Sequence, residues 1–368
     1  MKEEKLEPEL RFPEFNSNWE IKKLGKVFEM KAGSFISASK IVDESNPNLY
    51  PCYGGNGLRG YTESCTHQGK YNLIGRQGAL CGNIKLVEGA FHATEHAVVV
   101  ENNETQDIDF IFYVLNKANL NRLATGQAQP GLSISTLNSV KFYTTSLPEQ
   151  QKIASFLSAI DQRIQLLEQK KESLERYKKG VMQKLFAQEI RFKDDQGNEF
   201  PDWEEKRLKD ISIKVSSNIS ANELDNINGD YKIYGATGLL KKVDFYKEES
   251  AYVSIVKDGA GVGRLLLCDP QSSVLGTLDI IKPKGGNDLR FLFYTLQSIR
   301  FDKYITGSTI PHIYFKDYSK SKILVPCLNE QLKISSFLSQ VQSTIDLIGD
   351  SIDSTSSFKK GLLQKMFV

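Results

Sequence analysis

The side chains best suited to chemistry are scattered through this sequence. Cys65, His67, Cys81, His92 and His96 supply the nitrogen and sulfur donors that zinc takes, and His92 and His96 have the spacing of one helical turn. A second copy of the same segment, 181 residues on, carries Tyr246, Glu248 and Val262 at the first three of those positions. A metal is therefore not expected in a frame that both copies share. Asp258-Gly259-Ala260-Gly261-Val262-Gly263 has the glycine density of a loop that wraps a nucleotide or adenosylmethionine. Its counterpart, Gln77 to Gly82, lacks the middle glycine, so a tight hairpin is the expected structure. Asn46-Pro47-Asn48-Leu49-Tyr50 is not the Asn-Pro-Pro-Tyr run of an adenine methyltransferase, and no Gly-x-x-x-x-Gly-Lys-Ser/Thr loop occurs. No serine or cysteine nucleophile with a nearby histidine and acid repeats in both halves. The chain is expected to hold neither a catalytic centre nor a cofactor of its own.

The polar loop tips are more informative, because they come in unlike pairs. Arg76-Gln77-Gly78 faces Lys257-Asp258-Gly259 at the 181-residue offset, and Gly126 to Pro130 faces Gly307 to Pro311. Arginine, glutamine and asparagine can form bidentate contacts with guanine and adenine edges, whereas lysine, serine and threonine suit phosphates. A common frame with different tips suits the reading of two different things. The candidates are Tyr53, Asn56, Arg76, Gln77, Thr125, Gln127 and Gln129 in the first half, and Tyr234, Thr237, Lys257, Asp258, Thr306, Ser308, Thr309 and His312 in the second. For each residue alone the plain alternative is a solvated loop.

The elements that must position these tips are written twice. Leu147-Pro148-Glu149-Gln150-Gln151-Lys152-Ile153 returns as Leu328-Asn329-Glu330-Gln331-Leu332-Lys333-Ile334. Tyr177-Lys178-Lys179-Gly180-Val181-Met182-Gln183-Lys184-Leu185-Phe186 returns as Phe358-Lys359-Lys360-Gly361-Leu362-Leu363-Gln364-Lys365-Met366-Phe367. From 149 to 186, 17 of 38 columns are identical without a gap, so this is a true internal repeat. Each half opens alike, with Trp19-Glu20 and Lys23-Leu24 matched by Trp203-Glu204 and Arg207-Leu208.

Apolar residues at Ile153, Leu157, Ile160, Ile164, Leu167, Leu174, Val181 and Leu185 step by threes, fours and sevens, as do Ile334, Leu338, Val341, Ile345, Ile348, Ile352, Leu362 and Met366. That is the a/d seam of two long helices that pair in a coiled coil. The intervening domain allows either direction, and an antiparallel pair is favoured because it relates the two halves by a pseudo-two-fold axis. A helix of 38 residues would extend ~57 Å and act as a spacer. Gly180 and Gly361 suggest late fraying or a close helix crossing, and Asn329 in place of Pro148 suggests a different start for the second helix. Phe156, Leu166, Met182, Phe186, Phe337, Leu347, Leu363 and Phe367 lie off the seam and are expected to receive helices from a partner. An ordinary buried helix hairpin accounts for the seam alone.

The segments before each helix mix short β-type runs (Asn72 to Ile74, Ala97 to Val100, Tyr252 to Val256, Arg264 to Leu267) with helical stretches at Phe110 to Leu123 and Leu289 to Lys303. The expected organisation is mixed α/β, with recognition domains at 1–148 and 189–328 and spacer helices at 149–188 and 329–368. With 368 residues, 40% hydrophobic and 25% charged, the chain suits two globular domains, and its net charge of +2 announces no polyanion binder. The charged first residues do not form a signal peptide, and no run reaches the ~20 apolar residues of a membrane span. Five widely spaced cysteines fit reduced thiols and a cytoplasmic setting.

Taken together, the two copies of the helix signature and of the Trp-Glu opening resemble the specificity subunit of type I restriction-modification enzymes over almost the whole chain. The resemblance implies two target recognition domains, each reading one half of a bipartite, asymmetric site in double-stranded DNA, with the helices as ruler. It implies a non-catalytic chain that docks two methylation subunits, which bring adenosylmethionine and methylate adenine. It further implies motor-nuclease subunits that use ATP and Mg to cut DNA. A free-standing methyltransferase or nuclease, or a coiled-coil adaptor that never touches DNA, are the competing readings.

Overall fold

A computed structural model of the chain describes residues 6–78, 80–101, 103–126 and 130–368. The chain forms two compact units, residues 1–168 with 350–368, and residues 169–349. Compactness thus assigns each unit the parts of two helices, where the sequence suggested two domains and two separate spacers.

Unit 1 runs β1 (Glu20–Lys23), α1 (Leu24–Val27), β2 (Met30–Ala32), β3 (Tyr50–Gly54), β4 (Gly57–Thr62), β5 (His67–Gly75), β6 (Ile84–Ala93), β7 (Ala97–Val100), α2 (Ile108–Lys117), α3 (Ile134–Ser139) and β8 (Lys141–Thr144), then enters α4 (Leu147–Phe186). Six strands form one sheet in the order β2-β7-β5-β6-β3-β4. Only β3 with β6 is parallel. β1 pairs with β8 apart from it. The apolar β7, Ala-Val-Val-Val, is buried throughout, as a strand between two others must be.

Unit 2 repeats the plan with β9 (Glu204–Arg207), α5 (Leu208–Ile211), β10 (Ser212–Ser216), β11 (Tyr231–Gly235), β12 (Gly238–Val243), β13 (Tyr252–Val256), β14 (Leu265–Cys268), β15 (Ser272–Val274), β16 (Leu278–Pro283), α6 (Leu289–Ser298), α7 (Phe315–Tyr318) and β17 (Lys322–Val325), followed by α8 (Leu328–Lys365). Here the large sheet is divided into β10-β16-β13-β14 and β12-β11-β15. Pro270, lying between β14 and β15, brings no N–H to a ladder, and Gln271 beside it takes a left-handed φ of 50°. The single long β6 of unit 1 is thereby broken into two short strands.

The repeated signatures prove to be anchors. Glu149 is fully buried and takes a two-pronged ion pair from Arg11, at 2.8 Å from both Nε and Nη2. Glu330 does the same with Arg191, at 3.2 and 2.8 Å, and also accepts from Trp203 Nε1 at 3.0 Å. Trp19 Nε1, at the matching place in unit 1, is buried with no such partner. Gln150 and Gln331 accept from the backbone N–H of Asp107 and Asp288 at 2.8 and 2.9 Å. Those aspartates in turn cap α2 and α6 by accepting from Phe110 N and Phe291 N. Each Gln therefore fastens the start of a long helix to the helix of its own globular part, and each Glu fastens it to an arginine outside that helix. Both long helices begin at equivalent residues, Leu147 and Leu328, because Pro148 stands in the first turn, where its missing N–H costs nothing. The expected difference at Asn329 does not arise.

In unit 1 the start of α4 runs away from the core while the end of α8 runs into it, with Lys359 paired to Asp161. In unit 2 the roles are exchanged, and Lys178 donates to Gln342 at 2.6 Å. The helices are antiparallel. Phe367 stacks on Phe110 at 5.4 Å and meets Trp19 edge-on, and Phe186 stacks on Phe291 at 5.9 Å and meets Trp203 edge-on. Five expectations of a partner surface are corrected here: Phe367 is only 5% exposed, and Phe186 packs on the core of its own unit. Met182 and Leu363 likewise pack on the cores of units 2 and 1, and Phe337 lies against Phe192. The end of each helix closes a core, which absorbs the apolar surface the sequence left unassigned. A side chain added at Gly180 or Gly361 would meet open space, so neither marks a close helix crossing, and both helices continue through.

Candidate nucleic-acid interface

Two loops meet at the tip of each unit, held by the same backbone bonds at the 181-residue offset. In unit 1, Gly78 N donates to Pro130 O at 3.0 Å, Thr125 and Gly131 exchange two bonds of 2.9 Å, and Leu132 N donates to Arg76 O at 2.9 Å. In unit 2, Gly259 N donates to Pro311 O at 2.9 Å, Thr306 and His312 exchange bonds of 2.9 and 2.8 Å, and Ile313 N donates to Lys257 O at 3.0 Å. Gly78 and Gly259 hold φ of 86° and 87°, the left-handed region where glycine carries no penalty. The Gly-rich run 258–263 is the turn of the β13–β14 hairpin, as its sequence suggested.

The side chains on this common frame differ. In unit 1, Gly55, Asn56, Arg59, Gln77, Gly78 and His96 line a cleft of about 330 Å³. Asn56 and Arg59 are exposed, and Gln77 is half-buried. The cleft depends on a close approach of backbone to backbone, since a side chain on Gly75 would come to 2.1 Å from Gly55 O. His96 Nε2 lies 3.2 Å from Glu95 Oε1. The imagined helical pairing of His92 and His96 is absent, because His92 lies on β6, hydrogen-bonded to Ser64 Oγ at 3.0 Å and Ser34 O at 3.1 Å. Arg76 is half-buried with its Nε unpartnered, Thr125 is exposed, and Gln127 and Gln129 lie outside the described residues.

In unit 2 a hollow of about 520 Å³ is lined in part by Lys214, Lys257, Asp258, Asp279, Tyr314 and Lys316. Lys257 faces Asp279 at 3.4 Å, so its charge is partly spent within the unit. Thr237, Thr306, Ser308 and Thr309 are exposed, and His312 is half-buried with Nδ1 3.2 Å from Ile310 O. Two expectations fail in both units for one reason. Tyr53 and Tyr234 point inward, Tyr53 against Phe91 at 5.9 Å and Tyr234, 8% exposed, hydrogen-bonded to Asp269 at 3.0 Å. Burial raises the pKa of both phenols. Tyr234 is a core residue of its hairpin, and Tyr53 is half-buried with its ring packed on the core of its unit.

The sequence reading missed Arg59 and His96. Arg59 follows the Gly-Leu pair of an aligned hairpin and stands opposite Leu240, a contrast visible in the sequence once the hairpins are registered. Of the off-seam helix residues, Leu166 and Leu347 remain 64% and 63% exposed at equivalent positions of α4 and α8, and Phe156 is partly covered by Phe12.

Comparison with known proteins agrees with this doubled plan. A family model described as the type I restriction modification DNA specificity domain matches residues 16–176 and again 201–354. The specificity subunit of the type I restriction enzyme EcoprrI of Escherichia coli is 44% identical over 153 residues, which is 41% of this chain and 38% of that protein. The MjaVIII specificity subunit of Methanocaldococcus jannaschii is 24% identical over 402 residues, covering 96% of this chain and 92% of the relative. The crystal structure of a type I restriction-modification system S subunit from M. genitalium matches with a TM-score of 0.76 at 20% identity, over 99% of both chains. That likeness extends the shared fold to the whole chain.

Proposed function

The chain belongs to the family of type I restriction-modification DNA specificity domains, of which it carries two, and from that premise we propose how the work is divided along it. Unit 1 reads one half of a bipartite, asymmetric site in double-stranded DNA, and unit 2 reads the other. The long antiparallel helices set the gap between the halves. Two methylation subunits dock along the helices, where Leu166, Leu347 and Phe156 keep apolar surface exposed. They bring adenosylmethionine and methylate adenine, and motor-nuclease subunits in the full complex use ATP and Mg. This chain contributes sequence choice and no catalytic step.

The observation that carries this reading is the equality of the frame and the inequality of the tips. The same three backbone contacts present Arg76, Gln77 and Thr125 in one unit and Lys257, Asp258 and Thr306 in the other, while Asn56 and Thr237 stand at the matching hairpin turns. Two platforms built alike but furnished differently are what two unlike half-sites require. Single-molecule methylome sequencing of a host with and without this chain, its methylation subunits present in both, tests it. The expected result is a new motif with methylated adenines in two unlike halves, and no new motif from an assembled complex would favour an adaptor. Inserting four residues in α4, ~6 Å of helix, should widen the gap by one or two base pairs at ~3.4 Å per step.

A further inference from the structure

We infer that Arg59, which lines the cleft of unit 1, reads a guanine in the half-site of that unit; this rests on the division of labour proposed above. Arg59 is exposed on β4, and among the described residues no carboxylate lies within ion-pair distance of it. Several cations around the tip of unit 2 are engaged. Arg264 donates to Ala236 O at 2.8 Å, Lys257 faces Asp279 at 3.4 Å, and Lys232 pairs with Asp269 at 2.5 Å. Arg59 offers its planar fork of donors to a concave site.

The surroundings favour a base over a phosphate. Gly55 packs against the carbonyls of Gln77 and His96, each 3.0 Å from where a side chain on Gly55 would begin, and Glu95 holds His96 at the rim. Carbonyls and a carboxylate repel a phosphate. A G·C pair presents O6 and N7 as acceptors to an arginine fork and the cytosine N4 amino group as a donor. The side-chain amides of Asn56 and Gln77, which line the same cleft, can accept from that amino group. Gly54 leaves the room Arg59 needs, since a side chain there would come within 2.7 Å of Arg59 Cδ. At the matching position unit 2 has Leu240, 49% exposed, which cannot make the contact.

The test uses the assembled complex with its methylation subunits, first to define the wild-type motif and then to measure methylation rates on every single-base variant of it. Arg59→Ala and Arg59→Lys are exposed-site changes that leave the core untouched. The expected result is a ten- to hundredfold loss of discrimination, about the worth of one bidentate base contact, at one G·C position of one half-site. The other half-site and the gap stay fixed, and Lys restores at most part of the loss because it lacks the fork. Replacing that guanine by 7-deazaguanine should slow the wild type and leave Arg59→Ala unaffected. Uniform weakening on all sequences, relaxation at an A·T pair, or no change would overturn the assignment of Arg59 while leaving the two-unit reading intact. A wild-type complex that methylates no bipartite motif would overturn that reading and this inference with it.

Discussion

The two units are alike where they grip the helices and unlike where they end in loops. At the helix end the correspondence extends to single side chains: Arg11–Glu149 with Arg191–Glu330, Asp107–Gln150 with Asp288–Gln331, and Phe110–Phe367 with Phe291–Phe186. At the loop end, Gly55 and Gly75 approach closely in unit 1, while unit 2 has Ala236 and Val256 at those places, whose side chains forbid the same approach. The continuous β6 of unit 1 is broken by Pro270 in unit 2, and Arg59 is answered by Leu240. An anchored end can therefore be held constant while the other is refurnished, which is the property a sequence-reading module needs.

The largest effects should come from the shared anchors. Arg191→Ala leaves Glu330 charged, fully buried and short of its partner, a change that costs roughly 3–5 kcal/mol. Arg11→Ala should do the same through Glu149. Denaturant titration measures both. Phe367→Ala removes a ring from the core of unit 1 at a cost of about 3–5 kcal/mol. Hydrogen exchange should then rise in α2 and stay unchanged in α6, and Phe186→Ala should produce the mirror result. Equal loosening of both units by either variant would show that the anchors do not act unit by unit.

Smaller effects separate the two units. Gly75→Ala forces a clash with Gly55 O and should cost about 1–3 kcal/mol through overpacking, while altering only the half-site read by unit 1, as seen in the methylation motif. Asp161→Asn turns the Lys359 ion pair into the ammonium–amide hydrogen bond that Lys178 makes to Gln342 in unit 2. About 1 kcal/mol or less should be lost, and less at high salt. The smallest effect is on pH. Burial against Phe91 lowers the pKa of His67, so the unfolded chain takes up its proton first. This contribution to the stability of unit 1 is whole above about pH 6.5 and declines as the pH falls through that value. Unit 2 has Glu248 at that position, ion-paired with Lys282, and lacks this histidine term. A His67→Phe variant should flatten the difference in hydrogen exchange between pH 7 and 5.5.

Much of the helix frame was legible in the sequence because long helices declare themselves by period. Ile153, Leu157 and Ile160, and Ile334, Leu338 and Ile345, are buried as the a/d pattern requires. Strand runs such as Ala97–Val100 and Tyr252–Val256 were equally plain. What the pattern could not say is which apolar surface covers which. Phe186 and Phe367 looked like residues for a partner because the core they enter is assembled from segments far apart in the chain. At the candidate site Asn56 and Gln77 could be picked by residue type, but Tyr53 and Tyr234 turn inward on strands whose direction depends on the bulges between Cys52 and Tyr53 and between Ile233 and Tyr234. Arg59 and His96 belong to the cleft only through folding, since one lies on β4 and the other in the turn from β6 to β7.

The central claim, that the units read separate half-sites, is tested most directly by the methylation motif of a complex carrying Asn56→Ala and Gln77→Ala together in unit 1. The account predicts that one half of the motif changes or relaxes while the other half and the gap between them stay as in the wild type. Loss of discrimination in both halves at once, or an unchanged motif, would contradict it.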